Sequence, residues 1–177
     1  NPEGVEAAVV RDPGGAIVAL ARPSPSGPSV GTGTAPEVVF HSLNTADVER
    51  AIALYGGVFG WVFDEPLAFG GHDTLHPFSW ASGAARAGAF MDVAGCPGVH
   101  PHWLFHFAVP RLETSIDVVR RLGGLVLDPI EAANGDRIAV CDDDQGTAFA
   151  LHETRARASC SGPPYWIRVG SANRILT

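Results

Sequence analysis

From residue 38 onward, apolar and polar positions alternate between two periods. Residues 38–43 (VVFHSL) read as a strand, and 46–59 carry Val48, Ile52, Tyr55 and Phe59 at helical spacing, with Asn44 or Thr45 placed to cap the helix. Phe59-Gly60-Trp61 stops that helix. Strand-like runs at 61–67, 76–81 and 88–93 follow, separated by turns that bear Gly and Asp. The order then recurs. Residues 103–109 read as a strand, and 112–122 as a helix with Leu112, Ile116, Val119 and Leu122 on one face. Gly123-Gly124 forms its C-terminal stop, and three more strands end at 148–153. The pattern predicts strand, helix and three strands, twice over.

The N-terminal part differs. Residues 23–36 (PSPSGPSVGTGTAP) have the Pro, Gly and Ser content of a flexible linker. Before it, residues 4–20 read as strand, turn, strand around Asp12-Pro13-Gly14-Gly15. Residues 135–151 repeat that pattern, matching at Gly4/Gly135, Ala8/Ala139, Val9/Val140, Asp12/Asp143, Gly15/Gly146, Ala19/Ala150 and Leu20/Leu151. The expected organisation is therefore a terminal hairpin of a truncated preceding module (1–22), a linker (23–35), a complete module (36–154) and a C-terminal extension (155–177). The chain opens on Asn1 without Met or a secretion signal, so its native start is expected to lie elsewhere.

Composition narrows the partners. Hydrophobic residues make up 46% and charged residues 18% of 177, enough apolar material to offset the entropy of ordering a domain. A net charge of -7 without a cluster of basic residues argues against nucleic acid, whose phosphates must be neutralised. Apolar runs such as 16–21 are far shorter than the roughly 20 residues that cross a bilayer, so no membrane span is expected. Cys96, Cys141 and Cys160 are odd in number and form no CxxC pair, which suits thiols in a reducing cytoplasm.

The segments FHSLNTADVERAIALYGGVFGW, AGAFMDV, PHWLFHFAV, RRLGGLVLDP and DDDQGTAFALHE fall in an order that resembles the landmarks of the vicinal-oxygen-chelate superfamily, which includes glyoxalases, bleomycin-resistance proteins and extradiol dioxygenases. The likeness is strongest to bacterial members with tandem modules. It implies an α+β fold of paired βαβββ units forming a cup-shaped mixed sheet with helices outside. It also implies a divalent metal held by His and Glu from the first, fourth, fifth and eighth strands. Carried onto this chain, those positions are Phe40, then Met91 or Asp92, then Leu104 and Ala150. At most one of them is a ligand, so no metal and no other cofactor is expected. His41 should face away from Phe40 because strand side chains alternate. His106 shares parity with Leu104, and with His100 and His102 it could rebuild a shifted site.

Other motifs are weaker. His72, Asp73 and His76 read as a solvated loop, and Asp142-Asp143-Asp144 as a turn. No GxSxG, Walker loop, HExxH or strand-borne GxGxxG is present. What remains is an aromatic pocket expected to use Phe40, Phe78, Trp80, Phe90, Trp103 and Phe105, with Asp92 and His106 as polar contacts. The expected function is metal-independent binding of a small apolar or aromatic molecule, as in bleomycin-resistance proteins, by a cytoplasmic homodimer. The alternatives are a metal-dependent lyase, isomerase or dioxygenase with a rearranged site, and an interaction module that holds no ligand.

Overall fold

The computed structural model describes residues 7–21, 37–69, 73–132 and 135–155. The expected linker, the C-terminal extension beyond 155, His72 and Cys160 lie outside the described residues. A hairpin of β1 (Ala7–Arg11) and β2 (Ile17–Ala21) comes first. One unit then contains β3 (Val38–Thr45), α1 (Val48–Phe59), β4 (Val62–Phe63), β5 (Leu67–Phe69), β6 (Asp73–Ser79) and β7 (Arg86–Asp92). A second contains β8 (His102–Ala108), α2 (Leu112–Arg121), β9 (Leu125–Val126), β10 (Ile130–Glu131), β11 (Arg137–Asp142) and β12 (Ala148–Glu153). Among the described residues no helix is long and apolar enough to cross a membrane.

Local chemistry explains where elements start and break. The cap of α1 is Asp47, whose carboxylate accepts from Arg50 N at 3.0 Å. Asn44 and Thr45, the expected caps, still belong to β3, and the side chain of Asn44 is turned to His102. Gly60, in the left-handed region at φ 70°, ends the helix. The single strand expected over 61–67 is instead two pieces, β4 and β5, both paired to β6. Pro66 lies between them, and its missing N–H interrupts a ladder. Asp128-Pro129 separates β9 from β10 in the same way, and both pair with β11. His76, which opens the strand-like run at 76–81 and also reads with His72 and Asp73 as a loop, lies in the middle of β6. In α2, Leu112 and Ile116 are buried, but Leu122 lies past the last turn and is exposed.

The ten-stranded sheet runs β10-β11-β12-β8-β3-β7-β6-β4, with β5 and β9 paired off this path. In each unit the first strand lies parallel to the last, β3 beside β7 and β8 beside β12. The two units meet where β3 and β8 run antiparallel. Leu43, Phe78 and Phe90 face α1, and Ala139, Cys141 and Leu151 face α2. The cross-strand register puts these two sets on one side of the sheet, so among the described residues the other face bears no helix. Gly88 permits the close approach of β3 and β7: a Cβ there would sit 1.9 Å from the His41 carbonyl oxygen and 2.6 Å from Phe78 Cε1.

The hairpin seats its turn on the α1 side. Ala16 is buried in the cluster of Leu43, Val48 and Tyr55, with Val18 packed against it. Asp12 Oδ1 accepts from Gly15 N and Ala16 N, and its Oδ2 accepts the Tyr55 hydroxyl at 3.0 Å. The register of this hairpin recurs 131 residues later: Arg11↔Ile17 becomes Asp142↔Ala148, and Ala8↔Leu20 becomes Ala139↔Leu151. The turn recurs too. Asp143 Oδ1 accepts from Gln145 N and Thr147 N, and Gly15 and Gly146 both adopt positive φ. Asp12→Ala strips a buried carboxylate from three donors and should lower unfolding stability by about 1–3 kcal/mol, with Tyr55→Phe costing less. Urea denaturation checks this, and an unchanged midpoint for Asp12→Ala would show that the docked turn contributes nothing.

Candidate functional site

The eight residues expected to line a pocket divide between the two faces of the sheet. Phe78, Phe90 and Trp103 lie on the helix side with Tyr55, Trp61 and Phe63. Phe78 stacks on Trp61 at 4.8 Å, Phe90 meets Phe63 edge to face at 5.0 Å, and Trp103 Nε1–H donates to the Tyr55 hydroxyl at 3.2 Å. Trp80 and Phe105 sit on the same side but in the open, flanking His41 at 5.1 and 5.7 Å. Asp92 is exposed, its Oδ1 accepting from Ala94 N, and it borders a cleft of about 610 Å³ beside the start of α1. Glu49, Thr74, His76 and Cys96 also line that cleft. Phe40 and His106 alone of the eight share the helix-free face, edge to face at 5.1 Å. Aromatic content could not separate these groups, because the faces are distinguished only by strand register.

The helix-free face has an apolar floor and a row of polar contacts. Phe40, Leu75 and Ala89 form one buried cluster, and Leu104, Ile138 and Ala150 another. Ser42 Oγ and His106 Nε2 are 2.9 Å apart where the two units meet. Both stand six residues before the first residue of their unit's helix, so they occupy equivalent places in the two halves. Asn44 Nδ2 donates to His102 Nε2 at 3.0 Å, and His102 Nδ1–H donates to the His100 carbonyl at 2.7 Å. His152 Nε2–H donates to Asp136 Oδ2 at 3.1 Å, and Asp136 Oδ1 accepts from Arg155 N. Sequence reasoning missed Ser42, Asn44, Asp136 and His152 as members of this face. Alternation from Phe40 and His106 carried the parity of the first two, but only the fold joins them to β12.

A superfamily-type metal does not fit these residues. Phe40 offers a phenyl ring, Leu104 an isobutyl group and Ala150 a methyl, none of which can ligate. Met91, which pairs with Asn44, brings a thioether to the helix-free face, whereas Asp92 pairs with Thr45 and lies on the other side. The carboxylate therefore cannot serve as the fourth-strand ligand. The histidines do not regroup, because both ring nitrogens of His102 are engaged and His100 is exposed. His41 turns its Nδ1 to the Ala87 carbonyl on the far face. Among the described residues no three His, Cys, Asp or Glu side chains are grouped to hold a metal ion.

No family model matches the chain. Over 112 residues it is 30% identical to "Putative glyoxylase CFP32" of Mycobacterium bovis, and equally to the protein of that name from Mycobacterium tuberculosis. The match takes in 62% of this chain, which spans only 42% of the length of those relatives. Among solved structures, a hypothetical protein from Bacillus halodurans superposes with a TM-score of 0.54 at 12% identity, over 72% of this chain and all of that one. Methylmalonyl-CoA epimerase from Mycobacterium tuberculosis gives 0.51 at 16% identity, over 70% and 94%. In its strand order the chain shares the fold of these solved structures, and in sequence it is similar to the mycobacterial putative glyoxylases over the matched 112 residues.

Burial pushes the His106 imidazole down from 6.5 to about 3, and the neighbouring His152 and His41 add to the effect. The unfolded chain takes up this proton below about pH 6.5, while the folded ring refuses it until about pH 3. Stability is therefore whole above 6.5 and falls toward pH 3, by up to about 1.4 kcal/mol per pH unit. Urea unfolding at pH 7 and pH 5 should show wild type losing about 1–2 kcal/mol more than His106→Leu over that interval. An equal loss in both would mean that His106 is not the group being protonated.

Proposed function

We propose that this module is a metal-independent small-molecule-binding protein of the bleomycin-resistance type, with the helix-free face as its binding surface. The observation that carries this reading is the side chains at the positions where the superfamily implies metal ligands: Phe40, Met91, Leu104 and Ala150. Phe40, Leu104 and Leu75 would offer apolar contact, and the neutral His106 a hydrogen bond, a combination that suits a largely apolar or aromatic ligand. A homodimer belongs to this reading. The exposed Trp80 and Phe105 on the outer face, and Val9 and Ile17 on the hairpin, are the apolar surfaces a second copy would cover.

A second reading is a metal-dependent lyase, isomerase or dioxygenase with a rearranged centre. The unengaged Nδ1 of His106 and the name carried by the mycobacterial relatives favour it. Elemental analysis separates the two. Tag-free protein dialysed against Zn²⁺, Ni²⁺ and Mn²⁺ should retain far less than one ion per chain, and His106→Ala should leave that amount unchanged. One ion held per chain and released by His106→Ala would overturn the binding-protein reading.

A further inference from the structure

Two imidazoles deep in the helix-free face each leave one ring nitrogen unused. His106 is 6% exposed and His152 is 3% exposed, and their ring centroids lie 6.0 Å apart with the planes inclined at 62°. Nδ1 of each ring is shut away from solvent without a hydrogen-bond partner. Ala150, the strand partner of His106 and two residues from His152, brings only a methyl group to this place.

The partners of the other nitrogens fix what these two can do. The Asp136 carboxylate accepts, so His152 donates through Nε2–H, and in its uncharged form the ring then presents a bare lone pair at Nδ1. His106 meets the Ser42 hydroxyl, which donates as readily as it accepts. When Ser42 donates to Nε2, Nδ1 of His106 carries the proton. In that tautomer one nitrogen is an acceptor and the other an available donor, on neighbouring strands of one face. Burial keeps His106 neutral, so it gives an anion no counter-charge.

We propose that His106 and His152 form a hydrogen-bonding clamp for a small uncharged molecule with an N–H or O–H donor next to an acceptor, as in an amide or an α-hydroxy ketone. The donor of that molecule goes to His152 Nδ1 and its acceptor to His106 Nδ1–H. This rests on the helix-free face being the binding face and adds to it the polar half of the ligand. Pairing both nitrogens at once is what selects the ligand, since a molecule lacking the donor leaves His152 Nδ1 as it was.

The test uses the intact chain, labelled with ¹⁵N in its histidine rings and freed of metal by chelation. Long-range N–H spectra at pH 8 would follow titrations with acetamide and hydroxyacetone, with acetone as the probe that has no donor. Saturable shifts at Nδ1 of His106 and His152, absent from His41 and His102, are expected, with acetone about ten-fold weaker. Shifts that do not saturate, or acetone acting as well as hydroxyacetone, would mean that only water bridges the rings, and the clamp would be wrong. Failure of the binding-protein reading would look different: His106 resonances would move on adding Zn²⁺ alone.

Discussion

The antiparallel pairing of β3 with β8 is the constraint on which the rest of this module depends. Each unit is a strand, a helix and further strands whose last member returns parallel to the first, and such a unit leaves the far edge of its first strand open. Joining the two edges removes both from solvent and produces one continuous sheet. It also brings Ser42 of one unit against His106 of the other, and Phe40 against the same ring. A hydrogen bond and an edge-to-face ring contact therefore sit at the seam, where neither unit alone could assemble them.

The two faces of that sheet hold themselves together by different means. On the helix side, Tyr55, Trp61, Phe78 and Phe90 pack ring to ring over Leu43, and each large side chain so buried contributes about 1.5–3 kcal/mol of apolar transfer. On the helix-free side the apolar residues form two smaller clusters, one per unit, with Ser42 and His106 between them. A buried histidine in such a place persists because it is neutral and hydrogen-bonded through one nitrogen. The aromatic wealth of the chain thus stabilises the fold, while the polar groups of the helix-free side are sparse and buried between two apolar clusters.

The hairpin of β1 and β2 shows how far a local pattern can act in two different surroundings. Its turn and register duplicate those of β11 and β12, so the same residues impose the same local geometry in both places. The surroundings differ. β12 pairs with β8 and packs against α2, whereas the first hairpin is anchored through Asp12, Ala16 and Val18 to the α1 side and leaves Val9 73% exposed. Asp12 meets the Tyr55 hydroxyl, which burial together with Asp12 pushes up to about 12, so the phenol stays protonated and keeps donating.

Much of this was legible in the sequence because it is local. The helical spacing of Val48 and Tyr55, the Asp-Gly turns at 12–15 and 143–146, and the doubled order of elements all follow from periods and turn chemistry within a dozen residues. The opposite facing of His41 and Phe40 follows from alternation along one strand. Which face of each strand meets which helix is not local. Phe78, Phe90 and Trp103 have the composition of a pocket lining, yet register turns them toward α1 and the hairpin. Asp136, unmarked by any local pattern, and His152, which reads from the sequence as a structural strand residue, are carried by the β11 approach and β12 to the face of His106. Sequence alone determined the helices and the order of the main strands. Tertiary structure decided the candidate site, because residues 42, 106, 136 and 152 come near one another only once β3, β8, β12 and β11 have paired in register.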